Sequence, residues 1–84
     1  MRYTVVWQPR AMLQLAQTWE NAHDRSIITQ AADKIDQLLA NSPEMVGESR
    51  SDGFRTDCVG PLAFIFHVSE ADRLVSVVRV WRIR

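Results

Sequence analysis

Leu62-Ala63-Phe64-Ile65-Phe66-His67-Val68 is followed by the polar break Ser69-Glu70-Ala71-Asp72-Arg73, and then by Leu74-Val75-Ser76-Val77-Val78-Arg79-Val80-Trp81-Arg82-Ile83-Arg84. Two runs rich in β-branched and aromatic residues around a short polar break predict a hairpin. Both runs are nearly continuous in apolar residues, which places them inside a sheet with both faces at least partly covered. A lone hairpin is marginal in water, so the rest of the chain must supply a cover. From Arg79 onward the second run carries arginines and no acid, interleaved with Val80, Trp81 and Ile83.

Upstream of the hairpin, Phe54 to Val59 alternates apolar and polar residues and reads as a strand with one wetter face. Gly60-Pro61 is a tight turn into the hairpin. Glu44 to Gly53 reads mainly as loop, with a short edge strand as the alternative. The segment before it is the most regular in the chain. Ile28, Ala31, Ala32, Ile35, Leu38 and Leu39 fall on one helical face, Asp24 stands where an N-cap belongs, and Asn41-Ser42-Pro43 ends the helix. An earlier helix over residues 10–20 is predicted from Met12, Leu15, Ala16 and Trp19, with Pro9 in its first turn. Tyr3 to Trp7 is a first strand. The order is β-α-α-β-β-β. Neither helix can bury its stripe except on the sheet. The expected fold is therefore α+β, with two antiparallel helices on one face of a small, mostly antiparallel sheet.

Eighty-four residues make one domain, 1–84, with one thin core; a chain this short buries roughly 60–65% of its unfolded surface. Ten basic and ten acidic groups cancel, which argues against a protein whose whole surface grips nucleic acid. No apolar run approaches the ~20 residues that span a membrane, and the N-terminus lacks a signal-peptide pattern. The single Cys58 forms no internal disulfide, no Cys/His cluster exists for zinc, and a reducing cytoplasm is the expected location. Neither a metal nor another cofactor is expected.

By strand parity, Arg55, Asp57, Ala63, Ile65, His67, Arg79 and Trp81 share the face left open by the helices. Phe54, Cys58, Leu62, Phe64, Phe66, Val78 and Val80 then face the core. His67 is the open-face side chain with a near-neutral intrinsic pKa. With Glu48 as the other possible base and Arg55 as a cation, it is the candidate set for metal-free RNA cleavage, which needs a base, an acid and a charge on the phosphate. Arg50, Arg55, Arg79, Arg82 and Arg84, with Trp81, are the candidate set for a phosphate or an acidic partner. Ordinary readings compete at each position. His67 is also a strand-end residue, the arginines are also partners for Glu48, Asp52 and Asp57, and Trp81 also completes the sheet. Trp7 and Trp19 read as core or core margin. Cys58 reads as buried and inert, and Asp33 with Asp36 as a solvated helix face.

The opening Tyr3-x-Val5-x-Trp7-x-Pro9-x-Ala11, the second helix ending near Asn41-Ser42-Pro43, and Gly53-x-Arg55 leading into the terminal hairpin together resemble the RelE/ParE superfamily of toxins. The likeness runs the length of the chain as a pattern of apolar positions. It implies a type II toxin–antitoxin system, a role of the plasmid-stabilisation kind, and a cognate antitoxin as partner. It also implies one of two targets. RelE-type members cut messenger RNA on the ribosome without metal, and ParE-type members inhibit DNA gyrase without cutting RNA. Carried over by position, the basic pair of the second strand falls at Arg55 and Asp57, the arginine opening the third strand falls on Ala63, and the basic residue late in the last strand falls near Arg82 or Ile83. The C-terminal tail that carries further active-site residues in many members has no counterpart here. Three readings follow: a toxin-like protein that acts by binding a macromolecule, a ribosome-dependent endoribonuclease, and a toxin fold without toxicity. The expected antitoxin surface is the open sheet face near Arg55, Arg79, Trp81 and Arg82.

Overall fold

The computed structural model describes residues 2–84. Strand β1 spans Thr4–Trp7, helix α1 Pro9–Asn21, helix α2 Arg25–Asn41, and strands β2 to β5 Glu48–Ser49, Phe54–Val59, Leu62–Ser69 and Leu74–Arg82. Short 3-10 turns at Pro43–Met45 and Ser51–Gly53 flank β2. The sheet order is β1-β5-β4-β3-β2, with β1 parallel to β5 and the other pairs antiparallel. This is the α+β arrangement the hairpin demands. The loop before β3 contributes a two-residue strand at the sheet edge. The last strand, β5, lies between β1 and β4, with β1 beside only its first half.

The α2 stripe packs as the periodicity predicts. Ile28, Ala31, Ile35 and Leu39 are buried against Leu62, Phe64, Phe66, Val75, Val77 and Val80, with Tyr3 and Ala11 at the margin. The Phe64 and Phe66 rings stack at 5.6 Å. Asp24 occupies the position before α2 but makes no capping bond through its side chain. Its carboxylate instead accepts two hydrogen bonds of 2.8 Å from Arg82, and its carbonyl serves the first turn.

Three placements differ from the parity and periodicity expectations. The first is the face of β3. Gly60, at φ 55, and Pro61 form a two-residue turn that sets Val59 opposite Leu62. Val59, Asp57 and Arg55 therefore share the core face of Leu62, Phe64 and Phe66, while Phe54, Thr56 and Cys58 lie on the open face. Cys58 is exposed, not buried. The second is a bulge in β5. Ile65 pairs with Arg79 and Phe66 with Val77, leaving Val78 extra. Val75, Val77 and Val80 are the core residues of β5, and Val78 turns to the open face.

The third is α1. β1 pairs with β5 only from Leu74 to Val77, so the β5 edge beyond Val77 lacks a neighbouring strand. The helix covers that edge with its small and polar side. Ala11 is fully buried there, and Gln14 Oε1 accepts the Val80 N–H at 3.0 Å. A buried backbone donor without a partner would be costly, which gives Gln14 a clear purpose. The predicted stripe of Met12, Ala16 and Trp19 is left at the surface, with Leu15 half-buried.

Candidate functional site

On the open face, β3, β4 and β5 and the turn before β3 enclose a concavity of about 580 Å³ lined by Arg50, Ser51, Phe54, Thr56, Ile65, Val78, Arg79 and Trp81. Its floor follows from strand register. Thr56, Ile65 and Arg79 form one row across three strands, and Cys58, Ala63 and Trp81 form the next. The bulge brings Val78 and Arg79 opposite one residue and thickens the wall on the β5 side. Phe54 and Trp81 keep 36% and 41% of their surface exposed, so two aromatic faces and two guanidinium groups meet one apolar floor. Among the described residues neither Arg50 nor Arg79 is paired with a carboxylate; the ion pair present is Arg82–Asp24.

The sequence-predicted binding set is therefore divided. Arg50, Arg79 and Trp81 come together. Arg55 does not join them: it lies on the core face, where its guanidinium donates to the carbonyls of Val46 and Gly47 at 2.9 and 3.0 Å. That contact ties the loop after α2 to β3. Arg82 shares the register of Leu62 and reaches Asp24 at the α1–α2 junction. The hydrogen-bonded guanidinium holds the Asp24 carboxyl below its ordinary value and raises Arg82 in turn. Arg84 donates to the Gly60 carbonyl. These three arginines hold the chain to itself.

The predicted acid–base set does not converge either. The His67 ring lies edge-on to Phe54 at 5.0 Å, behind the aromatic that lines the concavity. Gly53, at φ 80, passes so close that an added Cβ would sit 3.0 Å from His67 Nε2. His67 thus supports the turn and Phe54. Glu48 is in the row of Thr56 and Ile65 on the edge strand β2. Strand spacing puts its Cα about 12 Å from that of His67 and about 14 Å from that of Arg79, at the opposite margin of the open face. Sequence reading missed Phe54 as a site residue. The two-residue turn at Gly60-Pro61 is the signal that would have placed it on the open face. Among the described residues there is no cluster of three or more histidine, cysteine or acidic side chains able to hold a metal. Likewise, no helix there is long and apolar enough to cross a membrane.

No protein-family model matches the chain, and no curated protein matches it in sequence. Solved structures do. A chain of the toxin–antitoxin complex RelBE2 from Mycobacterium tuberculosis superposes with a TM-score of 0.79 at 19% identity, covering 100% of this chain and 95% of that one. A chain of the chromosomal ParDE system from P. aeruginosa gives 0.72 at 16% identity, covering 98% and 97%. The isolated E. coli RelE toxin gives 0.67 at 16%, covering 98% and 85%. The chain has the RelE/ParE toxin fold.

Proposed function

We propose that this chain is the toxin-type component of a type II toxin–antitoxin system. On this reading it acts by binding a macromolecule through the open sheet face, and its antitoxin neutralises it by covering that face. The fold supports the class. The observation that carries the mode of action is the concavity itself. Two unpaired arginines, Arg50 and Arg79, flank Trp81, Phe54 and an apolar floor, an interface composition of aromatic anchors inside a charged rim.

RNA cleavage on the ribosome is the second reading, and His67 on the open face is the feature that favours it. For the binding reading, the resemblance to gyrase-inhibiting members supplies the nearest target class. Action in the cytoplasm follows from either target.

Expression without a neighbouring antitoxin gene, scored for growth arrest, tests the proposal. Arrest should occur, persist in His67→Gln and Glu48→Gln, and disappear in a folded Trp81→Ala protein. Loss of arrest in His67→Gln alongside cleaved message in the wild type would favour the nuclease. Normal growth at high yield of wild-type protein would count against both toxin readings.

A further inference from the structure

The open face of the sheet has a polarity across its strands. Register puts Glu48, Thr56, Ile65 and Arg79 in one row over β2, β3, β4 and β5. An acid stands at one end of the row and a cation at the other, with a hydroxyl and an apolar side chain between them. The end Cα atoms are three strand spacings apart, about 14 Å. Both end side chains are exposed, and among the described residues neither takes part in an ion pair. The other charges near this face are accounted for. Arg50 and Asp52 stand two apart on the turn before β3 and leave that turn neutral. Arg55 and Asp57 lie on the core side, where Arg55 holds the carbonyls of Val46 and Gly47 and Asp57 accepts the Cys58 N–H. Glu70, Asp72 and Arg73 sit on the β4–β5 turn, beyond the Ser69–Leu74 pair. Arg2 and Arg10 belong to the β1 and α1 side, past β5.

We propose that this face is a self-association surface whose occupant is a second copy of the chain. The two sheets pack face to face about a twofold axis that runs along the strands, midway between β3 and β4. Facing sheets stand about 10 Å apart, a gap that glutamate and arginine together span. The axis reverses the strand order across the contact. Glu48 then faces the partner's Arg79, Arg79 faces the partner's Glu48, and Ile65 meets the partner's Thr56. The net acidic Glu70–Arg73 turn comes to the end of the partner's sheet that carries Arg50. A twofold axis across the strands would instead set Glu48 on the partner's Glu48 and Arg79 on the partner's Arg79, so charge selects the first. Glu48 also argues against a uniformly acidic segment as the occupant of the whole row. Ten basic and ten acidic groups leave no net charge to keep two copies apart. The contact is isologous and closes with two copies. Four strands give an interface at the small end of the specific range, so the dimer is weak and concentration-dependent. The contact does not rest on the function proposed for the concavity. Its consequence does: Phe54 and Arg79 lie inside it, so self-association competes with whatever binds there.

Sedimentation of the whole chain between about 10 µM and about 1 mM, the range for small interfaces, tests the proposal. The wild type should pass reversibly from monomer to dimer, less readily at high salt. Glu48→Arg and Arg79→Glu should each keep the fold, since both sites are exposed, and should each weaken dimerisation at least about tenfold. An equimolar mixture of the two variants should recover the dimer, because each offers the charge the other lacks. Concentration-dependent amide shifts in NMR should centre on Glu48, Thr56, Ile65 and Arg79. A wild type that stays monomeric throughout, single variants that dimerise like the wild type, or a mixture that fails to recover would each overturn the proposal. None of these readings uses growth arrest. A dimer without arrest would leave this contact standing and remove the toxin reading, and arrest by a monomeric chain would do the reverse.

Discussion

The two faces of the sheet obey different rules. On the covered face, Phe64, Phe66, Val75, Val77 and Val80 meet Ile28, Ile35 and Leu39, and each of these side chains is almost fully removed from water. The open face carries the same residue classes, Phe54, Ile65, Val78 and Trp81, yet surrounds them with Arg50, Arg79, Ser51 and Thr56 and leaves them partly wet. Composition does not separate the two faces. Coverage does: two helices are enough to roof only one side of five strands. The contrast teaches that, in a domain this thin, one face stores the stability and the other stays partly wet.

The contrast breaks most completely if charge enters the covered face. Ile35→Asp puts a carboxylate where no solvent reaches, and it should unfold the domain at a cost of more than about 4 kcal/mol, read as loss of amide dispersion and of cooperative melting. Trp81→Ala should do the reverse. It should leave stability within about 0.5 kcal/mol in denaturant titration, because the side chain is exposed, and cost about 2 kcal/mol or more in antitoxin affinity by calorimetry. Equal losses in both measurements would mean that Trp81 is core and would remove the open face as an interface. Gln14→Leu should sit between the faces. It strips the Val80 N–H of its acceptor at the edge where β1 ends, and should destabilise by about 1–2 kcal/mol, with faster amide exchange confined to Val80 and its neighbours.

The smallest effect belongs to the Arg82–Asp24 pair, whose side chains keep 35% and 34% of their surface in solvent. The folded-state pKa of Asp24 is lowered, so the contribution of the pair is present above the ordinary carboxylate value and lost as the pH falls through the folded value. Wild type and Asp24→Asn should therefore differ slightly in melting temperature at pH 7, with the gap shrinking from about pH 4 downward and closing once the pH is below the lowered folded value. A difference that persists at pH 2 would show that Asp24 acts through its backbone and not through its charge.

Much of the architecture was legible. The hairpin of β4 and β5, the α2 stripe and the end of α2 at Asn41 follow from local pattern alone, because a buried helix or strand must repeat its apolar residues at its own period. The candidate face was half legible. Arg79 and Trp81 were placed correctly, since both lie on the strand past the bulge, where counting back from Val80 gives the right parity. Arg55 was misplaced because alternation fixes which residues of β3 agree with one another, but not which of the two sets faces the helices. The turn at Gly60-Pro61 decides that, by setting Val59 opposite Leu62.

What the sequence by itself determined is the set of elements and the apolar side of each, since periodicity is a property of one segment and its own backbone. Only the tertiary structure decided which apolar sides are covered and where the arginines end. Met12, Ala16 and Trp19 are as regular a stripe as that of α2, yet they stay outside because α1 must turn Ala11 and Gln14 toward the uncapped edge of β5. Arg55, Arg82 and Arg84 are spent on backbone carbonyls and Asp24, while Arg50 and Arg79 are left free, because a long cation takes whichever acceptors the fold brings within its reach. Those acceptors come from positions far apart in the chain, and no spacing in the sequence records them.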